Sequence, residues 1–198
     1  MLAPLPLLDW KAVFRKRAAK VRARAAAAQP GAARFASSKF FEAVQPEAGQ
    51  AVALYAPIGD EMDTAPLAEA LAERGVAVLL PVVTGKNAPL AFRLFEVDKP
   101  LVDGPHGTRH PGEDAEARRP DVVVCPLLAA READGARLGM GGGYYDRTLA
   151  ALREDGGVIA VGYGYGDQLT DKFPVAPHDQ FLDWFVSERH AIRFEPRR

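Results

Sequence analysis

The sequence predicts an α/β fold, a three-layer α/β/α sandwich around a mostly parallel, Rossmann-like sheet. A succession of strand, helix and strand is complete by residue 83, and a second such succession fills residues 121 to 164. The strand candidates are short and apolar, which is how strands of a parallel sheet covered by helices read. With 198 residues and 48% hydrophobic content, the chain can bury one core, so a single domain spanning 1–198 is expected.

Taken in order, Asp9 is a good N-cap for a basic helix over residues 10–28, WKAVFRKRAAKVRARAAAA, which stops at Pro30-Gly31. A second helix is predicted over about Ser37–Val44, broken by Pro46 and Gly49. QAVALYAPI (50–58) reads as a buried strand. DTAPLAEALAERG (63–75) reads as a helix with Thr64 as cap, Pro66 in its first turn and Gly75 at its end. VAVLLPVV (76–83) is the next strand and LAFRLFE (90–96) alternates like an edge strand. Residues 97–119, dense in Pro, Gly, His and charge, read as a long surface excursion. DVVVCPLL (121–128) is a strand, AAREADGA (129–136) a loop, YYDRTLAALRED (144–155) a helix and GVIAVGYG (157–164) a strand.

A formal net charge of −1 and a pI near 6.4 give no global attraction to nucleic acid or anionic membranes. Any anion must therefore be met locally. The lone Cys125 excludes an intramolecular disulfide and, inside an apolar strand, reads as a small core residue rather than a nucleophile. No apolar run approaches the ~18 residues that span a bilayer, and MLAPLPLL lacks a preceding basic region. A cytoplasmic, monomeric protein is expected. Residues 1–40, rich in Ala and Arg with Asp9 as the only acid, also have the composition of a transit peptide.

The densest signal is RLGMGGGYYDR, residues 137–147. Gly139, Gly141, Gly142 and Gly143 leave successive N–H groups uncovered, and the helix beginning near Tyr144 adds the positive end of its dipole. That combination cradles phosphate. It is not G-x-G-x-x-G, since Tyr144 stands where the third glycine would be, and Gly85-Lys86 is followed by Asn87, so neither dinucleotide nor Walker A chemistry is indicated. The same glycines could simply allow close packing of helix on sheet. Asp146 in the first helical turn could stabilise the dipole or hold magnesium beside phosphate.

Lys11 and Arg15, at i and i+4, share a helix face with Arg22 further along. Seven basic residues between positions 11 and 24 would otherwise read as a solvated basic helix. Asp63 lies after a strand beside Asp60 and Glu61, where carboxylates ordinarily cap or are solvated. Asp179 beside His178 reads first as a loop hydrogen-bonding group, and nothing supplies the ligand spacing of a zinc site.

Four stretches together resemble the 5-formyltetrahydrofolate cyclo-ligase family, also called 5,10-methenyltetrahydrofolate synthetase. RLGMGGGYYDR resembles the family's R-L-G-aromatic-G-[GK]-G-Y-Y-D-R. KAVFR (11–15) resembles its K-x-x-x-R, YAPIGDEMDT (55–64) its E-x-[DE]-T segment, and VAPHDQFLD (175–183) its H-D-x-x-x-D stretch. Met140 in place of the aromatic, the less apolar AAREADGA and His110-Pro111 where Glu-Pro is common are departures.

The resemblance implies ATP-dependent closure of 5-formyltetrahydrofolate to 5,10-methenyltetrahydrofolate, with Mg²⁺ as cofactor and ATP as co-substrate. It implies ATP contacts at Lys11, Arg15, Arg137, Leu138, Gly139, Met140, Gly141, Gly142, Gly143, Tyr144 and Tyr145. Folate contacts fall on Ile58, Asp63 and residues 140 to 144, catalytic roles on Arg137, Tyr144 and Tyr145, and magnesium on Asp146 and Asp179. Only Lys11 and Arg15 of the basic helix are implicated; the other five basic residues are expected to be solvated. A noncatalytic nucleotide- or folate-binding protein, or a sugar-phosphate isomerase of similar architecture, are the alternatives.

Overall fold

The computed structural model describes residues 7–171 and 173–195. Its strands are β1 (Ala51–Ala53), β2 (Ala77–Val83), β3 (Leu90–Leu94), β4 (Val102–Asp103), β5 (Arg109–His110), β6 (Val122–Cys125), β7 (Ala129–Ala130), β8 (Arg137–Leu138), β9 (Ile159–Tyr163), β10 (Trp184–Val186) and β11 (Ala191–Arg193). Its α-helices are α1 (Leu7–Ala28), α2 (Ala32–Ala43), α3 (Ala65–Ala72) and α4 (Tyr144–Glu154). Among the described residues no helix is long and apolar enough to cross a membrane.

Seven strands form one sheet in the order β11-β10-β9-β6-β1-β2-β3. The five inner strands run parallel; β3 and β11, at the two edges, run antiparallel to their neighbours. The strands are short because only a few residues pair, yet both faces are buried. Val52 and Leu54, with Val122 and Val124, face the cluster that includes Ala36, Phe40, Leu67 and Leu71 from α2 and α3. Ala51, Ala53, Val123 and Cys125 face the opposite cluster, which includes Leu149 of α4. This period of two with apolar residues on both faces is why the strands read as continuous apolar runs. The three layers are thus α2 and α3, the sheet, and α4.

The chain leaves β1 toward β2 and β3 on one side, and β6 toward β9 and β10 on the other. The adjacent strands β1 and β6 therefore mark the point where the winding reverses, and the loops leaving their carboxyl ends border a crevice.

Several boundaries depart from expectation. α1 is already under way at Asp9, so a cap there is not what starts it; the Asp9 side chain lies outside the described residues. α2 starts at Ala32, directly after Gly31, rather than near Ser37. The expected strand over 50–58 pairs only over β1: the Leu54 N–H still reaches the Leu79 carbonyl at 2.9 Å, and beyond it Tyr55 is buried but unpaired in the ladder. Thr64 occupies the cap position of α3, but its hydroxyl donates to the Tyr55 carbonyl at 2.8 Å. The Asp63 carboxylate instead accepts the Ala65 N–H at 2.9 Å. AAREADGA is not a plain loop: β7 and β8 pair as an antiparallel hairpin turned at Gly135, whose φ is +73°. The glycine cluster consequently joins that hairpin to α4 and does not follow a strand of the central sheet.

Candidate active site

Three loops and one helix build the site. The loop after β1 carries Ile58, Asp60, Glu61 and Asp63; residues 139–143 link β8 to α4; residues 176–180 precede β10. Helix α1 lies against the last two of these and reaches the first. Its apolar side, Phe14, Ala18 and Ala19, packs with Leu128, Leu138 and Phe173 in a small separate cluster. That packing holds Lys11, Arg15 and Arg22, spaced along the same inward face, against the loops.

Arg15 Nε donates to the Gly139 carbonyl at 3.0 Å, and Lys11 Nζ pairs with Asp179 Oδ2 at 2.6 Å. The two cations that share a helix face thus land on the two stretches the sequence matched to phosphate and metal. Gly141 (φ +104°) and Gly143 (φ +67°) adopt left-handed conformations that a side chain would strain. A Cβ at Gly141 would lie 3.2 Å from the Arg15 guanidinium carbon, so this turn is built for close approach. Gly143 caps α4, whose first N–H groups open toward the turn.

Beneath the turn, Arg137 is nearly enclosed, with its side chain 4% exposed. Its Nη2 donates to Asp146 Oδ1 at 2.9 Å, while Nε and Nη1 find no hydrogen-bond partner among the described residues. The Cys125 thiol beside them is a weak acceptor at best. Burial pushes that thiol up to about 11, against the lowering influence of Arg137, so it stays protonated and is no nucleophile. The expectation that Arg137 reaches phosphate directly therefore meets a guanidinium buried under the turn and committed to Asp146. Asp146 Oδ1 also accepts the Gln180 N–H at 3.1 Å, which sets it next to Asp179 along the 176–180 loop. Asp179 Oδ2 in turn accepts the Ala176 N–H at 2.7 Å. His178 is exposed, with Nε2 4.0 Å from Asp179 Oδ1.

The two tyrosines differ. Tyr145 lies with its ring 5.3 Å from the Arg137 guanidinium carbon. Burial holds its phenol well above the ordinary value, with Cys125 adding to the shift and Arg137 opposing it, so it remains a hydroxyl donor. Tyr144 stands at the mouth. Arg147 lies over its ring at 5.1 Å, and its hydroxyl is 3.4 Å from His106 Nε2.

On the β1 side, Ile58 is exposed and Asp63, although it caps α3, is exposed as well. Glu61 is different: burial raises its carboxyl above the ordinary value, against the lowering effects of the Ile58 N–H and of Arg22. Arg22 corrects the expectation of five solvated basic residues on α1. Lys16, Arg17, Lys20 and Arg24 are exposed, but Arg22 is buried and paired with Asp60 and Glu61. His106, at the tip of the 97–119 excursion, is a second residue that sequence reasoning missed. The Gly104-Pro105 and Gly107 flanks signalled a tight turn, but nothing local signalled that it would meet Tyr144.

The sequence model of the 5-formyltetrahydrofolate cyclo-ligase family matches residues 8–188. The 5-formyltetrahydrofolate cyclo-ligase of Mycolicibacterium smegmatis is 36% identical over 152 residues, covering 73% of this chain and 76% of that protein. That of Escherichia coli K12 is 38% identical over 133 residues, covering 65% and 72%. The NMR structure of Aquifex aeolicus 5,10-methenyltetrahydrofolate synthetase superposes with a TM-score of 0.70 at 25% identity, covering 95% of this chain and 94% of that one. The Mycoplasma pneumoniae 5,10-methenyltetrahydrofolate synthetase shares the fold, with a TM-score of 0.67 at 21% identity over 90% of this chain and 98% of that one. The glycine turn, the α1 cations and the paired aspartates lie inside the matched span, and the chain belongs to the 5-formyltetrahydrofolate cyclo-ligase family.

Proposed function

We propose that the protein cyclises 5-formyltetrahydrofolate to 5,10-methenyltetrahydrofolate at the expense of ATP, through a phosphorylated formyl group. Family membership and the named relatives support the coarser part, an enzyme with 5-formyltetrahydrofolate cyclo-ligase activity. The observation that carries the finer part is the seating of Lys11 and Arg15 on Asp179 and Gly139, which brings two cations to the edge of an uncovered glycine turn.

A formyl oxygen leaves poorly, so the oxygen first attacks the γ-phosphorus of ATP and ADP departs. N10 then attacks the activated carbon, the N10 proton is lost, and the electron pair on N5 helps expel phosphate with the former formyl oxygen. The protein must align the two substrates and screen the phosphoryl charge. In this reading the N–H groups of Leu138 to Gly143 and the first turn of α4 hold the phosphates, with Met140 lining the turn. Lys11 and Arg15 screen charge from above, and Arg137 acts from below by fixing Asp146. Tyr144 and Tyr145 donate hydroxyl hydrogens toward formyl or phosphate oxygen. Asp63 accepts from pterin N–H groups and Ile58 supplies an apolar wall.

Magnesium fits the donors. Asp146 on α4 accepts the Gln180 N–H of the loop that carries Asp179, so two carboxylates border the turn. That set suits a cation that takes one or two carboxylates and completes its shell with phosphate oxygens and water. When bound, it would supply positive charge to the phosphate oxygens. Lys11 and Arg137 neutralise the two carboxylates in the protein alone. We further place the enzyme in the cytoplasm as a monomer. The test is incubation with 5-formyltetrahydrofolate, ATP and Mg²⁺ while recording the methenyl chromophore. Product that forms without ATP, or no product with all components, overturns the reading.

A further inference from the structure

Arg22 is eleven residues, about three turns, beyond Lys11 on α1, and so shares its face. It is 7% exposed and uses all three nitrogens. Nε and Nη2 meet Asp60 Oδ1 at 2.9 and 2.6 Å, and Nη1 meets Glu61 Oε1 at 3.3 Å. The far oxygen of Glu61 accepts the Ile58 N–H at 3.0 Å. The guanidinium therefore reaches, through one carboxylate, the backbone of the residue proposed as the folate wall. The buried Tyr55 hydroxyl closes the loop from the other side by donating to the Met62 carbonyl at 2.9 Å. Asp63 follows directly, held between Met62 and Thr64, whose hydroxyl donates to the Tyr55 carbonyl at 2.8 Å.

We propose that Arg22 is a positioning residue for the folate-side loop, tying residues 58–63 to the same helix whose Lys11 and Arg15 face the phosphate side. The inference rests on the folate role given to Ile58 and Asp63 above. Stability gives little reason for this cluster. Burying a guanidinium and two carboxylates forfeits their hydration, and an apolar side chain at position 22 would pack with no such loss. What the ion cluster supplies is geometry: a planar fork fixes the direction of two adjacent side chains as an apolar contact would not. Because α1 is one rigid rod, the spacing between the phosphate-side cations and the folate loop becomes a property of a single helix.

The test compares Arg22→Met and Arg22→Lys with the unaltered protein. Steady-state rates of methenyl formation are recorded with 5-formyltetrahydrofolate varied at saturating MgATP and the reverse. Hydrogen exchange of the 58–64 amides is measured without ligands. Arg22→Met is expected to raise the KM for the folate about tenfold, the loss of one charged hydrogen-bonded grip, and the KM for ATP less than about twofold. It is also expected to speed exchange across 58–64. Arg22→Lys, which keeps charge but loses the fork, restores part of both effects. Equal rises in both KM values, or unchanged exchange in a folded Arg22→Met protein, overturn the proposal. If Arg22→Met does not fold, Arg22→Lys decides: a folate-selective KM rise supports the proposal and its absence refutes it. Should the unaltered protein form no methenyl product, the functional reading fails while the exchange arm still decides whether Arg22 fixes the loop.

Discussion

Asp146→Asn destabilises the ligand-free protein, because Asp146 is the partner of a buried guanidinium as well as a candidate magnesium ligand. Arg137 is 4% exposed and Asp146 22% exposed at the side chain, so water does little to replace the lost charge. Two of the three guanidinium nitrogens already lack a hydrogen-bond partner among the described residues. Breaking a buried pair outright costs about 3–5 kcal/mol. Asparagine keeps an acceptor oxygen within reach of Arg137 and the Gln180 N–H, which limits the loss to about 1.5–3 kcal/mol, the range of a hydrogen bond to a charged group. For a chain of this size that lowers the melting temperature by about 5–10 °C. A mere partner of the helix dipole would hardly move the melting temperature; the buried Arg137 is the reason it should move. Thermal unfolding without nucleotide, compared with an Arg137→Met and Asp146→Asn double variant, checks the mechanism. The double variant is expected to recover part of the loss, since it no longer buries an unpaired charge. A single variant that melts within about 1 °C of the unaltered protein would refute the reasoning. Separately, the Mg²⁺ concentration for half-maximal rate should rise in Asp146→Asn, and more weakly in Asp179→Asn.

Gly142→Val places a Cβ about 3.0 Å from the Tyr144 ring and should weaken ATP binding with the fold retained, so unchanged affinity by calorimetry would make the glycines structural only. Arg15→Ala should lower kcat/KM by the equivalent of about 1.5–3 kcal/mol, whereas Arg24→Ala, on the exposed side of α1, should leave it nearly unchanged; equal losses would indicate a diffuse basic surface. Cys125 should resist alkylation at pH 8 in the folded protein and react on unfolding. Its folded value of about 11 exceeds the ordinary value near 9.0, so the folded state holds the proton more tightly. That contribution to stability is complete below about pH 9 and is lost as pH climbs toward 11.

The core of the fold was legible because its strands carry apolar residues on both faces and its helices end at glycine or proline. The parallel order around β1 and β6 follows from that alternation of elements. What escaped was set by partners far along the chain. β10 and β11 are three residues each, too short for a periodic signal. The β7–β8 hairpin pairs two residues a side around Asp134-Gly135, a turn signal without the flanking strand runs that usually accompany it. The glycine turn was visible as chemistry, and the face shared by Lys11 and Arg15 followed from helical spacing. Arg22 lies on that face too, but its partners Asp60 and Glu61 are separated from it by 38 and 39 residues. The burial of Arg137 under the turn, and its commitment to Asp146, likewise depends on the hairpin that carries it.

In the proposed reaction the formyl oxygen is phosphorylated at the glycine turn before the ring closes. The most direct test uses 5-formyltetrahydrofolate labelled with oxygen-18 in the formyl group, with unlabelled ATP and water, followed by mass analysis of the phosphate released. The account predicts that each phosphate formed with methenyl product carries the label. Unlabelled phosphate, with the label recovered in water, would contradict it.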